Sequence, residues 1–263
     1  MTVKSVIPAA FRLTLAAVSL GTAVIAAEPA VQPSVAELAS QLKSPDATTR
    51  LQAVEALAAQ GEAARPVAAN LVQAVNDEDA EVRAAAVVTL GQLIAEPATA
   101  MPALAARLGD ETETRRGPMW IVVGLSLGNY GRTALPHITS ALKGESTAAC
   151  RGALVAIDRL GKDASTTVPE LIAIVQRNDP ETRIFAISAL RAVGPDAKDA
   201  TPELIKQLSS DDFHTQYWAC RALGAIGPEA RSATGELVRC LKTGVASVRR
   251  NAAAALGNIG PDI

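Results

Sequence analysis

Three stretches of the chain align without gaps: GKDASTTVPELIAIV at residues 161–175, GPDAKDATPELIKQL at 194–208 and GPEARSATGELVRCL at 227–241. Their first residue marks a position that recurs every 33 or 34 residues. The residues at this position are Gly61, Ile94, Gly128, Gly161, Gly194, Gly227 and Gly260. A constant period of this length is typical of an array of stacked supersecondary units.

Each unit contains the pattern of two helices. In the fifth unit, Arg183, Ala186 and Leu190 are spaced by three and four residues, which places them on one face of a first helix. The Gly-Pro pair at 194–195 ends that helix. The stretch 201–203 (Thr-Pro-Glu) predicts the start of a second helix, with the threonine hydroxyl as its N-cap.

Two further sets of residues recur with the period. Acidic residues are predicted to cap the first helices, and alanines at a fixed position let neighbouring helices approach closely. The predicted caps are Asp46, Asp79, Asp179 and Asp212. The recurring alanines are Ala53, Ala86, Ala153, Ala186, Ala219 and Ala252. A repeated arginine, predicted to bond adjacent units together, occurs at Arg50, Arg83, Arg183 and Arg249.

The run Asp-x-x-x-Arg-x-x-Ala-x-x-x-Leu, at 46–57, 79–90 and 179–190, resembles the HEAT-repeat superfamily, in particular the short HEAT-like repeats of phycobilin lyases. The resemblance covers residues 34–263. It implies an all-α fold, a right-handed α-solenoid of about seven two-helix repeats whose second helices line the concave side. Ankyrin repeats share the period, but their Thr-Pro-Leu-His signature is absent. Because residues 35–42 match a second helix, we expect half a unit at each end of the array.

The N-terminal segment has the features of a secretory signal peptide. Lys4 and Arg12 precede an apolar run over 13–25, and Ala26 and Ala27 follow it. A membrane-spanning helix needs about 20 apolar residues, so an uncleaved anchor is the second alternative. We therefore predict a signal peptide at 1–27, a linker at 28–33, a periplasmic or secreted protein, and no stable membrane insertion after cleavage.

The composition of the chain argues against several classes of function. With 25 Lys+Arg against 27 Asp+Glu, the chain lacks the basic excess of nucleic-acid binders. His137 and His214 lie three units apart, no catalytic arrangement is recognisable, and we predict no metal or other cofactor. Cys220 and Cys240 fall on the two helices of one unit, and a disulfide between them after export is left open.

Positions that depart from the repeat are the best candidates for functional residues. In the third unit, Trp120 aligns with the recurring alanine and Gly124 with the recurring leucine, which we interpret as compensating repacking. The preceding loop, 109–117, is strongly charged and is either solvated or a contact loop. In the sixth unit, Trp218 aligns with Phe185 and is expected to stack on it across the unit boundary.

These features predict a non-catalytic protein–protein interaction scaffold whose partner is another protein of unknown identity. The alternative is a lyase or chaperone-like protein acting on a chromophore-bearing or other protein, which the resemblance suggests. Three aromatic residues lie close together in the sixth unit: Phe213, Tyr217 and Trp218. The candidate contacts in this cluster are His214, Tyr217 and Arg221. Candidate contacts on the second helices, expected on the concave face, are Glu170, Glu203, Lys206 and Arg239.

Overall fold

A computed structural model describes residues 33–177 and 179–260, so the predicted signal peptide and most of the linker lie outside the described residues. Two classes of α-helix alternate along this part of the chain: those called short have 7–10 residues, and those called long have 14, except Met119–Gly128, which has 10. The short helices are α1 (Val35–Gln41), α3 (Ala68–Ala74), α5 (Pro97–Ala106), α7 (Leu135–Lys143), α9 (Val168–Val175), α11 (Thr201–Gln207) and α13 (Thr234–Thr243). The long helices are α2 (Ala47–Gln60), α4 (Ala80–Leu93), α6 (Met119–Gly128), α8 (Thr147–Leu160), α10 (Pro180–Val193), α12 (Phe213–Ile226) and α14 (Ala246–Ile259).

Each short helix packs against the long helix that follows it, so the described residues form seven complete helical hairpins, here numbered units one to seven. This confirms the all-α solenoid. Counted instead from the long helix, the described residues begin with the second helix of a unit and end with the first helix of another, as predicted. At the N-terminal end, Leu38 on α1 is buried in the core that α1 shares with α2.

The long helices form where the repeat predicts them. The carboxylates of Asp46, Asp79, Asp179 and Asp212 each accept hydrogen bonds from backbone N–H groups in the first turn of the following helix, as expected of N-caps. All six recurring alanines are fully buried. The side chains that the period places on one face therefore build one continuous core between the two helical layers.

Consecutive long helices pack backbone to backbone. A Cβ atom on Gly124 of α6 would lie 2.3 Å from the Gly152 carbonyl oxygen of α8, and one on Gly224 of α12 would lie 3.0 Å from the Ala255 Cα of α14. Consecutive short helices approach each other at far fewer points. The long helices are therefore the more closely packed of the two layers. The expectation that the second, short helices line the concave face stays a prediction.

We predict that Gly124→Ala lowers the free energy of unfolding by about 1–3 kcal/mol, because the new methyl group overpacks the contact between α6 and α8. Gly257 on α14 is the matched control, since no atom lies within 4 Å of its Cβ position. Gly257→Ala is expected to add about 0.5–1 kcal/mol through helix propensity. Urea denaturation followed by circular dichroism measures both. Equal effects of the two substitutions would contradict this packing.

Glycine with positive φ ends most long helices, and it corrects the alignment of unit three. Gly131, at φ +67°, follows α6, whereas Gly128 lies inside that helix. The 3-10 turn after α6 spans only Gly131–Ala134, three residues shorter than its equivalents, and extra residues precede α6. The two length changes nearly cancel, which makes Gly128 fit the period by coincidence.

The corrected alignment changes the meaning of the residues in unit three. Val123 and Leu127, both fully buried, take the recurring alanine and leucine positions. Trp120 stands at the position of the recurring arginine and is half-buried. The interpretation of Trp120 and Gly124 as a compensating pair in those positions is therefore wrong. Gly124 instead provides the close approach of α6 to α8.

The link between a long helix and the next short helix is a 3-10 turn that continues directly into the short helix. The turn Gly194–Ala200 leads into α11, whose first residue is Thr201. No side chain caps this helix, and the Thr201 hydroxyl is buried without a hydrogen-bond partner. The prediction that Thr201 is an N-cap is therefore wrong.

The repeated arginine has two kinds of partner. Arg50 donates from Nε and Nη2 to the Asp77 carboxylate in the next unit, each at 2.8 Å, and Arg83 pairs with Asp110 at 3.4 Å. Arg183 donates instead to the carbonyl oxygens of Val175 and Arg177 within its own unit. Arg249 likewise donates to the Gly244 carbonyl. Arg50 and Arg83 therefore link adjacent helix pairs, as predicted. Arg183 and Arg249 instead tie their long helix to the end of the short helix that precedes it.

Candidate functional site

The solvent-facing side of the long helices, opposite the recurring buried alanines and leucines, is called the inner face below, as a name for its residues whichever way the array bends. Its side chains follow one another from helix to helix along the array. They are Leu51, Glu55, Val88, Ile121, Leu125, Arg151, Val155, Ile184, Ser188, Tyr217, Arg221, Arg250 and Ala254. Most are half-buried, and Leu125 is an exposed large apolar residue at 47%.

At the N-terminal end of the inner face, the charged loop contacts its own chain. Two-residue strands, β1 (Glu113–Thr114) and β2 (Gly117–Pro118), form a small hairpin. Arg116 in its turn pairs with Glu55 of α2 at 3.4 Å and with Glu81 of α4 at 3.7 Å. This contact gives the loop a role in neutralising acidic residues of units one and two.

The middle of the inner face is also neutralised internally. Arg151 pairs with Asp179 at 3.3 Å and with Glu181 at 2.8 Å. Arg191 pairs with Asp158 at 3.0 Å. Each of these pairs joins neighbouring long helices, and each pairs a cation with a carboxylate of the same chain.

The aromatic contacts differ from those expected. Trp120 of α6 and Phe185 of α10 meet edge to face, with ring centroids 5.5 Å apart. They meet across α8, where Gly152 has no side chain and its Cβ position lies 3.0 Å from the Trp120 carbonyl oxygen. Phe185 thus packs with Trp120, and the predicted stacking of Trp218 on Phe185 is wrong.

Trp218 belongs to a second aromatic cluster, on α12. Its ring meets the Tyr217 ring edge to face at 5.4 Å. The Arg221 guanidinium lies 4.9 Å from the centre of the Trp218 ring and 5.6 Å from that of Tyr217, and it donates a hydrogen bond to the Tyr217 hydroxyl at 3.1 Å. Such cation–π contacts hold the guanidinium in place without neutralising its charge.

His214 lies at the start of the same helix. Its imidazole is exposed and lies 4.0 Å from the Phe213 ring, centroid to centroid. The structure thus brings His214, Tyr217 and Arg221 onto one helix, as the sequence predicts.

The four other candidates lie on the short helices, in the outer layer. The Glu203 carboxylate is buried and accepts hydrogen bonds from Gln176, Lys206 and Gln207 at 2.9–3.0 Å. Burial acts to raise the pKa of Glu203, but these three donors lower it below its ordinary value. Glu203 and its donors therefore form a satisfied network inside the outer layer.

The remaining two short-helix candidates also have partners in the chain. Glu170 pairs with Lys143 at 3.1 Å. Arg239 pairs with Glu236 at 2.6 Å and donates to the Leu208 carbonyl oxygen at 3.0 Å. The outer layer and the inner face are opposite sides of the array, so the structure does not bring the two candidate sets together.

Sequence reasoning missed three residues beside the α12 cluster. Phe213, Val245 and Arg250 line a cleft of about 500 Å³ between the starts of α12 and α14, together with Ala246 and Ser247. The signal was present in the repeat. Val245 occupies the position at which Asp or Ser caps the preceding long helices except α6, and no side chain caps α14.

Within the described residues, no group of three or more His, Cys, Asp and Glu side chains is placed to hold a metal ion. The same part of the chain contains no helix both long and apolar enough to cross a membrane.

The cysteines are buried free thiols. Burial, with Cys240 as a neighbour, raises the pKa of Cys220 from its ordinary value of 9.0 to about 12. Burial also raises the pKa of Cys150 and Cys240. Cys220 and Cys240 are near enough for each to affect the pKa of the other.

We predict that iodoacetamide leaves all three cysteines of the folded, reduced protein unmodified at pH 7–8, because only the thiolate reacts. Raised thiol pKa values also mean that stability falls as the pH rises above about 9, since the unfolded state then loses protons that the folded state retains. Mass spectrometry after unfolding counts three alkylated thiols if they are free. One alkylated thiol in exported material would reveal a Cys220–Cys240 disulfide.

Comparison with known proteins agrees with this architecture. A family model described as HEAT repeats matches residues 35–118 and 201–262, together more than half of the chain. The search of curated proteins gives no significant match. Among solved structures, an engineered protein from a structural-genomics consortium is 22% identical, with a TM-score of 0.51, over 86% of this chain and 68% of its own.

Two further solved structures are similar at lower scores. A designed armadillo repeat protein in complex with the peptide (KR)4 is 17% identical, with a TM-score of 0.49, over 86% of this chain and 99% of its own. The complex of CpcE and CpcF of phycocyanin lyase from Nostoc sp. PCC7120 is 19% identical, with a TM-score of 0.47, over 90% of this chain and 98% of the matched chain. Identities this low bear on the helical repeat fold alone.

Proposed function

The chain belongs to the HEAT repeat family, and from that premise we propose that it is an exported, non-catalytic scaffold that binds another protein along its inner face. The repeat fold itself fits a protein-interaction role. One observation carries the choice of surface. The inner face is a row of mostly half-exposed side chains. Tyr217, Arg151 and Arg221 within it are of the residue types enriched among binding hot spots, and apolar side chains lie between them.

The candidate residues on the short helices are less suited to partner binding, because their polar groups already have partners in the chain. Glu203 is saturated by three donors of its own chain, and Arg239 holds a loop carbonyl and a carboxylate. A partner that bound these groups would have to break contacts that already satisfy them. Leu125 and Tyr217, by contrast, offer exposed or half-exposed surface on the inner face.

Site-specific photo-crosslinking tests the surface. Lysine-reactive reagents are poorly suited, because the inner face as defined above contains no lysine. We expect p-benzoylphenylalanine at Leu125 to give a discrete adduct with one protein in the exported fraction. The same group at Lys206, on the outer layer, is the matched control and is expected to give none. Adducts from Lys206 and not from Leu125 would overturn the choice of face.

Export has its own test. The basic, apolar and small-residue order of residues 1–27 supports cleavage after Ala27. N-terminal sequencing of protein recovered from the periplasm or medium is expected to begin at Glu28. Protein that stays in the cytoplasm with its N-terminal segment intact would contradict the proposed location, while leaving the binding role open to the crosslinking test.

A further inference from the structure

The cleft between α12 and α14 departs from the repeat in two adjacent units at the same end of the helices. Phe213 stands at a first helical position that holds Ala, Thr or Pro in α2, α4, α8, α10 and α14. Val245 stands at a capping position. Both apolar side chains are exposed, at 46% and 50%. Neither change improves the fold, because one exposes an aromatic ring and the other leaves a helix without its cap.

Charge changes along the inner face in the same place. In units one to five, the cations Arg116, Arg151 and Arg191 are paired with carboxylates of the chain. In units six and seven, Arg221 and Arg250 take part in no ion pair among the described residues. Of the three arginines on the inner face as defined above, Arg151 is therefore paired with carboxylates, whereas Arg221 and Arg250 are paired with none in the described part of the chain.

We propose that this cleft binds an acidic segment of the protein partner that also carries a large apolar side chain. The inference rests on the proposed scaffold function and names the chemistry of its partner. The apolar side chain enters between Phe213 and Val245, in a volume within the range of ligand-binding pockets. Carboxylates of the segment pair with Arg250 and Arg221, since arginine matches a carboxylate with two parallel hydrogen bonds.

The Arg221 guanidinium is held in position before any carboxylate binds. The Tyr217 and Trp218 rings fix its position, so less side-chain freedom is lost when a carboxylate binds. The aromatic rings also offer stacking surface for nucleic-acid bases, which makes single-stranded DNA the rival ligand. The net charge of −2, with no basic excess to bind a phosphate backbone, favours the peptide.

The test begins with a phage-displayed random peptide library selected on the purified protein. We expect enriched peptides to combine Asp or Glu with Leu, Phe or Trp. A synthetic enriched peptide is then measured by fluorescence anisotropy. Replacing its acids with Gln or Asn is expected to weaken binding at least tenfold, and raising the salt concentration is expected to weaken it further.

Variants locate the site. Phe213→Ala and Arg250→Gln are expected to weaken binding at least tenfold, whereas Arg159→Gln, an exposed arginine on α8, changes it less than twofold. Val245→Asp is the sharpest variant, because it restores the missing cap of α14 and puts a negative charge in the cleft. We expect it to raise the unfolding midpoint and still weaken binding at least tenfold, so that a loss of folding cannot explain the result.

Three outcomes would overturn the proposal: enrichment of neutral or basic peptides, binding that is indifferent to Val245→Asp and Phe213→Ala, or no enrichment at all. Retention of a fluorescent oligothymidine that Phe213→Ala abolishes, without peptide binding, would assign the cleft to nucleic acid instead. If a partner crosslinks at Leu125 but binds the cleft variants as well as it binds the unaltered protein, the proposal for the cleft is wrong and the scaffold function is retained. If an acidic peptide binds at the cleft but no partner crosslinks at Leu125, the scaffold function is contradicted and the cleft proposal is retained.

Discussion

The close backbone approach of consecutive long helices is the constraint on which the rest of the structure depends. Gly124 against the Gly152 carbonyl and Gly224 against Ala255 leave no room for larger side chains at these contacts. No hairpin buries its apolar face alone, so each helix pair is stable only when the next unit covers it. Small residues at fixed positions therefore close the core and let consecutive long helices meet backbone to backbone.

Much of the fold follows from the period. The capping aspartates, the buried alanines and the helices themselves are where the repeat predicts them, because each depends on spacing within one unit. Unit three is different. A deletion after α6 and an insertion before it nearly cancel, so Gly128 fits the period while Gly131 ends the helix. An insertion and a deletion that nearly cancel leave the period almost unchanged, so the period alone does not reveal them.

The candidate site was harder to predict for a related reason. The sequence identifies Tyr217 and Arg221 as unusual, but it does not show that Glu203 and Arg239 already have partners in their own chain, since those contacts depend on the three-dimensional packing. It also gave no weight to Val245, whose importance appears only beside the caps of the other long helices and beside Phe213 across the cleft. Arg116 pairs with Glu55 and Glu81 because its loop folds back onto the two preceding units. The spacing of residues within one unit does not predict this contact.

The unequal contact in the two layers has a mechanical consequence. Long helices already touch backbone to backbone at Gly124 and Gly224, so bending that brought them closer would force atoms into overlap at these contacts. We therefore expect the array to resist bending in that direction. The glycines at these contacts thus set a lower limit on the distance between successive rows of side chains on the inner face.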